Sequence, residues 1–152
     1  MRSAFSMLTA IVIIVLMSSV AAFVVNLSGK MSQETTLTYQ KEQAALYAKS
    51  YTELAIMAAT SQVCIQGIRD QIGNPATGNG YNIIVNVQYI GNELNGVANC
   101  NTLGVAIATA NSQRGSIIID TYVQYINPNH PNIGTLVPVP LITFHRRTLQ
   151  RL

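Results

Sequence analysis

FSMLTAIVIIVLMSSVAAFVV, the run from Phe5 to Val25, holds no charged side chain, and the charge-free interval reaches from Arg2 to Lys30. About a dozen of its residues are Val, Ile, Leu or Phe, and a run of this length and apolarity is a transmembrane helix candidate. Each such residue favours insertion by roughly 0.3 to 0.6 kcal/mol, which together outweighs the small penalties of Thr9, Ser18 and Ser19. Arg2 and the free amine lie on one side, while Lys30 on the other is partly offset by Glu34, so the positive-inside rule places the N-terminus in the cytoplasm. A competing reading is a cleaved signal peptide with Val20, Ala21 and Ala22 as the small-residue cut site. Against it, Arg2 is the only charge ahead of the apolar run, and the run continues through Phe23, Val24 and Val25. A plain signal anchor is the third reading.

Composition bounds the rest. Of 152 residues, 49% are hydrophobic and only 10% charged, less than half the usual charged share, so much of the chain is not made for water. Removing a membrane segment leaves about 120 residues for a folded core, one domain of ordinary size. A large multidomain enzyme and an intrinsically disordered chain are both excluded. Nine Lys and Arg against six Asp and Glu is a small imbalance spread along the chain, not the footprint of a nucleic-acid binder.

Helical signals run on past the apolar stretch. No proline occurs from Met31 to Ser61, and after Gly29 the next glycine is Gly67. Leu37, Ala44, Tyr47, Ala48, Tyr51, Leu54, Ala55 and Ala58 recur at helical spacing, with Lys41, Glu42, Lys49 and Glu53 mostly on other faces. The expectation is one helix from about Phe5 to about Ser61, apolar in its first half and amphipathic in its second. Breakers follow at Gly67, Gly73, Pro75, Gly78 and Gly80, and behind them the period changes to two. From Tyr81 to Ile90 the odd positions are apolar and Asn82, Asn86 and Gln88 fall opposite. From Ser116 to Ile126, Ile117, Ile119, Val123 and Tyr125 alternate with Asp120 and Gln124. A third strand is expected from Leu141 toward the C-terminus, and a short extra one at Gly104 to Ala108. The fold class is therefore α+β: a long N-terminal helix packed on a small antiparallel sheet.

Cys64, at the end of the helix, and Cys100, after the first strand, are the two cysteines. They can pair if the globular part is exported; otherwise they are buried free thiols. No nucleophile elbow, phosphate loop or short metal-ligand spacing occurs, so no catalytic residue, cofactor or metal is expected. Asp120, on the polar face of its strand, and Glu93, in a loop, read as solvated surface carboxylates. His145, Arg146, Arg147 and Arg151 form a basic C-terminal cluster that could contact phosphates or an acidic partner. Strand alternation points Arg147 and Arg151 one way and Arg146 the other. Basic residues on an edge strand also discourage edge-to-edge pairing.

An apolar N-terminal helix that continues into an amphipathic half on an antiparallel sheet resembles the type IV pilin and type II secretion pseudopilin superfamily. The local motif is Ala4, Phe5, Ser6, Met7, Leu8, Thr9, Ala10, Ile11. The resemblance implies a leader of residues 1–4, a transmembrane half over 5–29, and a periplasmic globular domain over 30–152 that includes the amphipathic half of the helix. It implies cutting between Ala4 and Phe5 by a prepilin peptidase, with N-methylation of Phe5. Ala4 stands where the family usually has Gly, and Thr9 where it usually has Glu. That Glu is thought to pair with the amine of the neighbouring subunit inside the membrane, and Thr9 offers no carboxylate. Subunits lacking it are typically minor ones at the tip. The implied role is a minor pseudopilin in the inner membrane, assembled with other pseudopilins or pilins by an inner-membrane assembly platform, in which Phe5 and Thr9 set assembly. Two alternatives stand: a DNA-uptake pilin whose Arg146, Arg147 and Arg151 contact DNA, and a periplasmic binding module released by signal-peptide cleavage.

Overall fold

The computed structural model describes residues 2–61, 64–90, 100–103, 115–135 and 137–151, with side chains from Met7 onward. The elements are a helix α1 (Arg2–Ser61), strands β1 (Gly67–Asn74) and β2 (Asn79–Ile90) joined by a single turn of 3-10 helix at Pro75–Thr77, then β3 (Ser116–Ile126) and β4 (Leu141–Arg151). The chain divides into two compact units, Met1–Tyr39 and Gln40–Leu152.

The first unit is the N-terminal part of α1. Its large apolar side chains between Met7 and Val25 are each 49% to 73% exposed, so no face of this helix is dry. A helix that is apolar all round needs apolar surroundings, in a core or in lipid. Ser18 and Ser19 return their hydroxyl protons to the carbonyls of Val15 and Leu16, at 3.3 and 2.8 Å, which leaves no donor to be satisfied by water. This helix is long and apolar enough to cross a membrane.

In the second unit the remainder of α1 packs on a four-stranded antiparallel sheet of order β1-β2-β3-β4, an α+β arrangement consistent with a pilin-like fold. Alternation chooses the packed face as expected: Tyr81, Ile83, Val85, Val87 and Tyr89 of β2 and Ile117, Ile119, Val123 and Tyr125 of β3 are all buried. The helix meets them with Ala44, Ala48, Ala55 and Ala59, whose short side chains let its backbone lie close over the central strands. Tyr47 and Tyr51 fill the margin, with the Tyr47 ring tilted against Tyr81 at 5.1 Å. Leu54, expected on the dry stripe, is instead 43% exposed, while Ile56 packs on the core. Leu54 lies about 100° around the helix from its neighbour Ala55, outside the narrow arc that the sheet covers.

The breakers from Gly67 onward do not end ordered pairing. Gly67–Asn74 is an edge strand, in register with β2 from Gly67↔Asn86 to Asn74↔Asn79. Ile68 and Ile72, its only apolar side chains, flank Asp70 on the packed face, so its own composition carries no apolar alternation. Two glycines serve the hairpin directly. Gly73 has φ +68°, and a Cβ on Gly80 would lie 2.5 Å from both Asn74 N and Ile72 O. Asn74 caps the turn by accepting the Ala76 N–H at 3.1 Å. The expected strand at Gly104 to Ala108 and the loop carboxylate Glu93 lie outside the described residues.

Candidate functional site

Two regions carry the residues singled out above: the N-terminal helix and the C-terminal edge of the sheet. Ala4 and Phe5 lie on the helical backbone of α1, and their side chains are outside the described part. Thr9 is exposed, four residues and about one helical turn beyond Phe5, so the two positions share a face.

At the other end, the register β3–β4 sets Asp120 opposite Arg147, and Tyr122 opposite His145, on the sheet face away from α1. Asp120 is 5% exposed, which corrects its reading as a solvated carboxylate. Arg147 covers it with two donors, Nε to Oδ1 at 2.7 Å and Nη2 to Oδ2 at 2.8 Å. His145 Nε2 stands 2.8 Å from Oδ1. An ionised carboxylate only accepts, so Nε2 carries the hydrogen. The His145 ring in turn stacks on Tyr122, centroids 4.4 Å apart and planes 7° from parallel. Hydrogen bonding from Arg147 holds the Asp120 carboxyl below the usual carboxylate range; burial opposes this, and His145 adds to it. Both side chains are themselves open to water, so their pull on Asp120 is partly screened.

The arginines of β4 do not form one surface. Arg147 is engaged by Asp120, whereas Arg146 pairs with Thr121 in register and belongs to the opposite face, as alternation required. Arg151 shares the face of Arg147 but lies about 13 Å further along the strand.

Cys64 and Cys100 are joined, with Cα atoms 5.6 Å apart. The bond ties the segment after α1 to a short stretch that docks on β2 beyond the reach of β1. There Tyr89 N donates to Asn101 O and Leu103 N donates to Tyr89 O, both at 2.8 Å. The Tyr89 hydroxyl accepts the Ile65 N–H at 3.0 Å. A depression of about 620 Å³ beside the disulfide is lined by Gln66, Arg69, Asn86 and Asn101 among others.

Residue patterns did not disclose two further contacts. The Tyr51 hydroxyl donates to Asp70 of β1, and Thr52 of α1 meets Thr121 of β3 at 2.9 Å. Each joins residues that only the folded register brings together, and no spacing in the chain could have signalled them. Comparison with protein-family models, curated proteins and solved structures finds no match.

Proposed function

We propose that this chain is a non-enzymatic structural subunit of minor-pseudopilin type, part of a type II secretion or type IV pilus-like filament in a bacterial envelope that serves protein export. The observation that carries this reading is the change of character along α1. Its large apolar side chains from Met7 to Val25 are exposed on every face, yet from Ala44 to Ala59 the same helix buries an alanine stripe on a sheet. One element is thereby fitted to lipid or to like helices at one end and to a folded unit at the other.

In this scheme the apolar part of α1 anchors the chain in the inner membrane with its N-terminus in the cytoplasm, and the unit from Gln40 onward occupies the periplasm. An oxidising compartment suits the Cys64–Cys100 bond. A prepilin peptidase cuts after Ala4, and an assembly platform then packs the helix laterally against those of other subunits. Ala10, Ser18, Ser19, Ala21 and Ala22 permit close approach there, where lipid supplies no hydrophobic gain. Thr9 gives neighbouring amines no carboxylate, which suits a minor position. Because Arg147 is held by Asp120 and Arg146 belongs to the other face, the basic residues favour this reading over a DNA-contacting one.

The test is the intact mass and N-terminal sequence of the protein from its native envelope. A chain starting at N-methylated Phe5 supports the proposal. A start near Ala22 makes it a released periplasmic module, and an intact Met1 leaves a plain membrane-anchored protein. Ala4→Trp should remain unprocessed and unassembled.

A further inference from the structure

The two edges of the sheet are unequal. Beside β1, the far end of β2 is closed by Gln66, whose carbonyl accepts the Val87 N–H, and by the Asn101 to Leu103 stretch. β4 is different. It runs 11 residues without glycine or proline, and its register with β3 is unbroken from Ser116↔Arg151 to Ile126↔Leu141. Among the described residues nothing pairs with its other side. Nine of its 11 side chains are exposed, so neither face is covered by another layer. A strand in this position presents a continuous row of backbone donors and acceptors.

The side chains beside that row specify what fits it. On the face toward α1, Ile142 is 39% exposed and Phe144 packs only partly on the core, so apolar surface lies open at the margin of the sheet. Arg146 follows Phe144 on the same face, two residues on. β4 holds three arginines and a histidine but no carboxylate, and the acid opposite it, Asp120, is already taken by His145 and Arg147.

We propose that the outer edge of β4 docks an extended, carboxylate-bearing segment of a partner protein, which joins the sheet as a fifth strand. Main-chain hydrogen bonds supply the affinity, and alternate side chains supply the selection. On the α1 face the segment sets apolar residues beside Ile142 and Phe144 and a carboxylate beside Arg146. A second copy of β4 is a poor occupant. Antiparallel pairing of two copies about Arg146 sets Arg146 opposite its own copy and Arg147 two positions from its counterpart, and opposed like charges destabilise a strand pair. The inference is independent of how the chain is anchored or assembled.

The test uses the full chain in detergent micelles and three blocked peptides: TVTVTETET, its lysine counterpart TVTVTKTKT, and the proline-interrupted TVPVTEPET, with amide hydrogen exchange as readout. The acidic peptide should slow exchange of β4 amides, and the other two should not. Arg146→Glu should weaken its binding by about three- to tenfold. Arg69→Glu, an exposed change on β1, should leave binding unaltered. The proposal is overturned by an acidic peptide that leaves β4 amides unprotected at millimolar concentration, by equal protection from the lysine peptide, or by equal loss with Arg69→Glu.

Discussion

Thr52 on α1 and Thr121 on β3 share a hydrogen bond of 2.9 Å at a site where they are 2% and 0% exposed. Thr52 also bonds the Ala48 carbonyl at 2.6 Å. A hydroxyl has one proton, so Thr52 spends its own on Ala48, and Thr121 is the donor across the helix–sheet boundary. The two ends of the bond are therefore not equivalent. Thr121→Val removes a donor while leaving the Thr52 proton satisfied, and should cost about 0.5 to 1 kcal/mol. Thr52→Val strands a buried O–H on Thr121 and should cost about 1 to 3 kcal/mol. Adding Thr121→Val to Thr52→Val should recover stability. Urea unfolding of the three variants measures this, and equal costs for the two single changes would refute the assigned direction.

Asp120 gives the fold an acid limit. Its folded-state pKa lies below the ordinary value because Arg147 and His145 bond the ionised carboxylate. The stabilisation is then fully present above about pH 4 and is lost as the pH falls through the lowered value. Asp120→Asn should flatten that part of the stability curve and cost about 1 to 2 kcal/mol at neutral pH. Unfolding midpoints followed from about pH 6 to about pH 2 would show an unchanged acid limb in the variant if the pairing contributes nothing.

Tyr51 should be a late-titrating tyrosine among the seven in the chain. Its hydrogen bond to Asp70, with burial and the nearby carboxylate adding to it, pushes the phenol up to about 12. A raised folded-state pKa means that its contribution holds below about pH 10 and disappears as the pH rises through the higher value. Phenolate absorbance titration of Tyr51→Phe against wild type should show loss of the late component. In the same variant the Asp70 carboxyl should move up toward the ordinary carboxylate range, since Tyr51 is the main cause of its lowering.

Cutting the Cys64–Cys100 link should act both globally and locally. The bond closes a separation of 36 residues, for which the chain-entropy estimate is about 3 to 4 kcal/mol. Replacing both cysteines with serine should lower stability by that order. It should also speed amide exchange at Tyr89 and Leu103, which donate to Asn101 O and Tyr89 O in a pairing that the link holds in place. Exchange unchanged at these two amides would mean that the stretch stays docked without the disulfide.

The apolar run from Phe5 to Val25, the alanine and tyrosine spacing beyond it, and the alternation at Tyr81–Ile90 and Ser116–Ile126 were legible because each is a local period that one buried face imposes on its own element. Those periods determined the helix, the two central strands and the face that each of them buries, while β4 was expected only as a further strand from Leu141, whose alternation separates Arg146 from Arg147. What the tertiary structure alone decided depends on pairing between distant segments. β1 is a strand because β2 offers it a ladder, although its own composition of glycine and polar residues argues for a loop. Leu54 is exposed because the sheet covers a narrower arc of α1 than the apolar spacing spans. Asp120 is a buried, ion-paired carboxylate because the β3–β4 register sets Arg147 across from it and His145 one step away. Propensity and period act over a few residues, whereas register is chosen by the whole sheet. The contacts that register creates are therefore invisible until the strands are aligned.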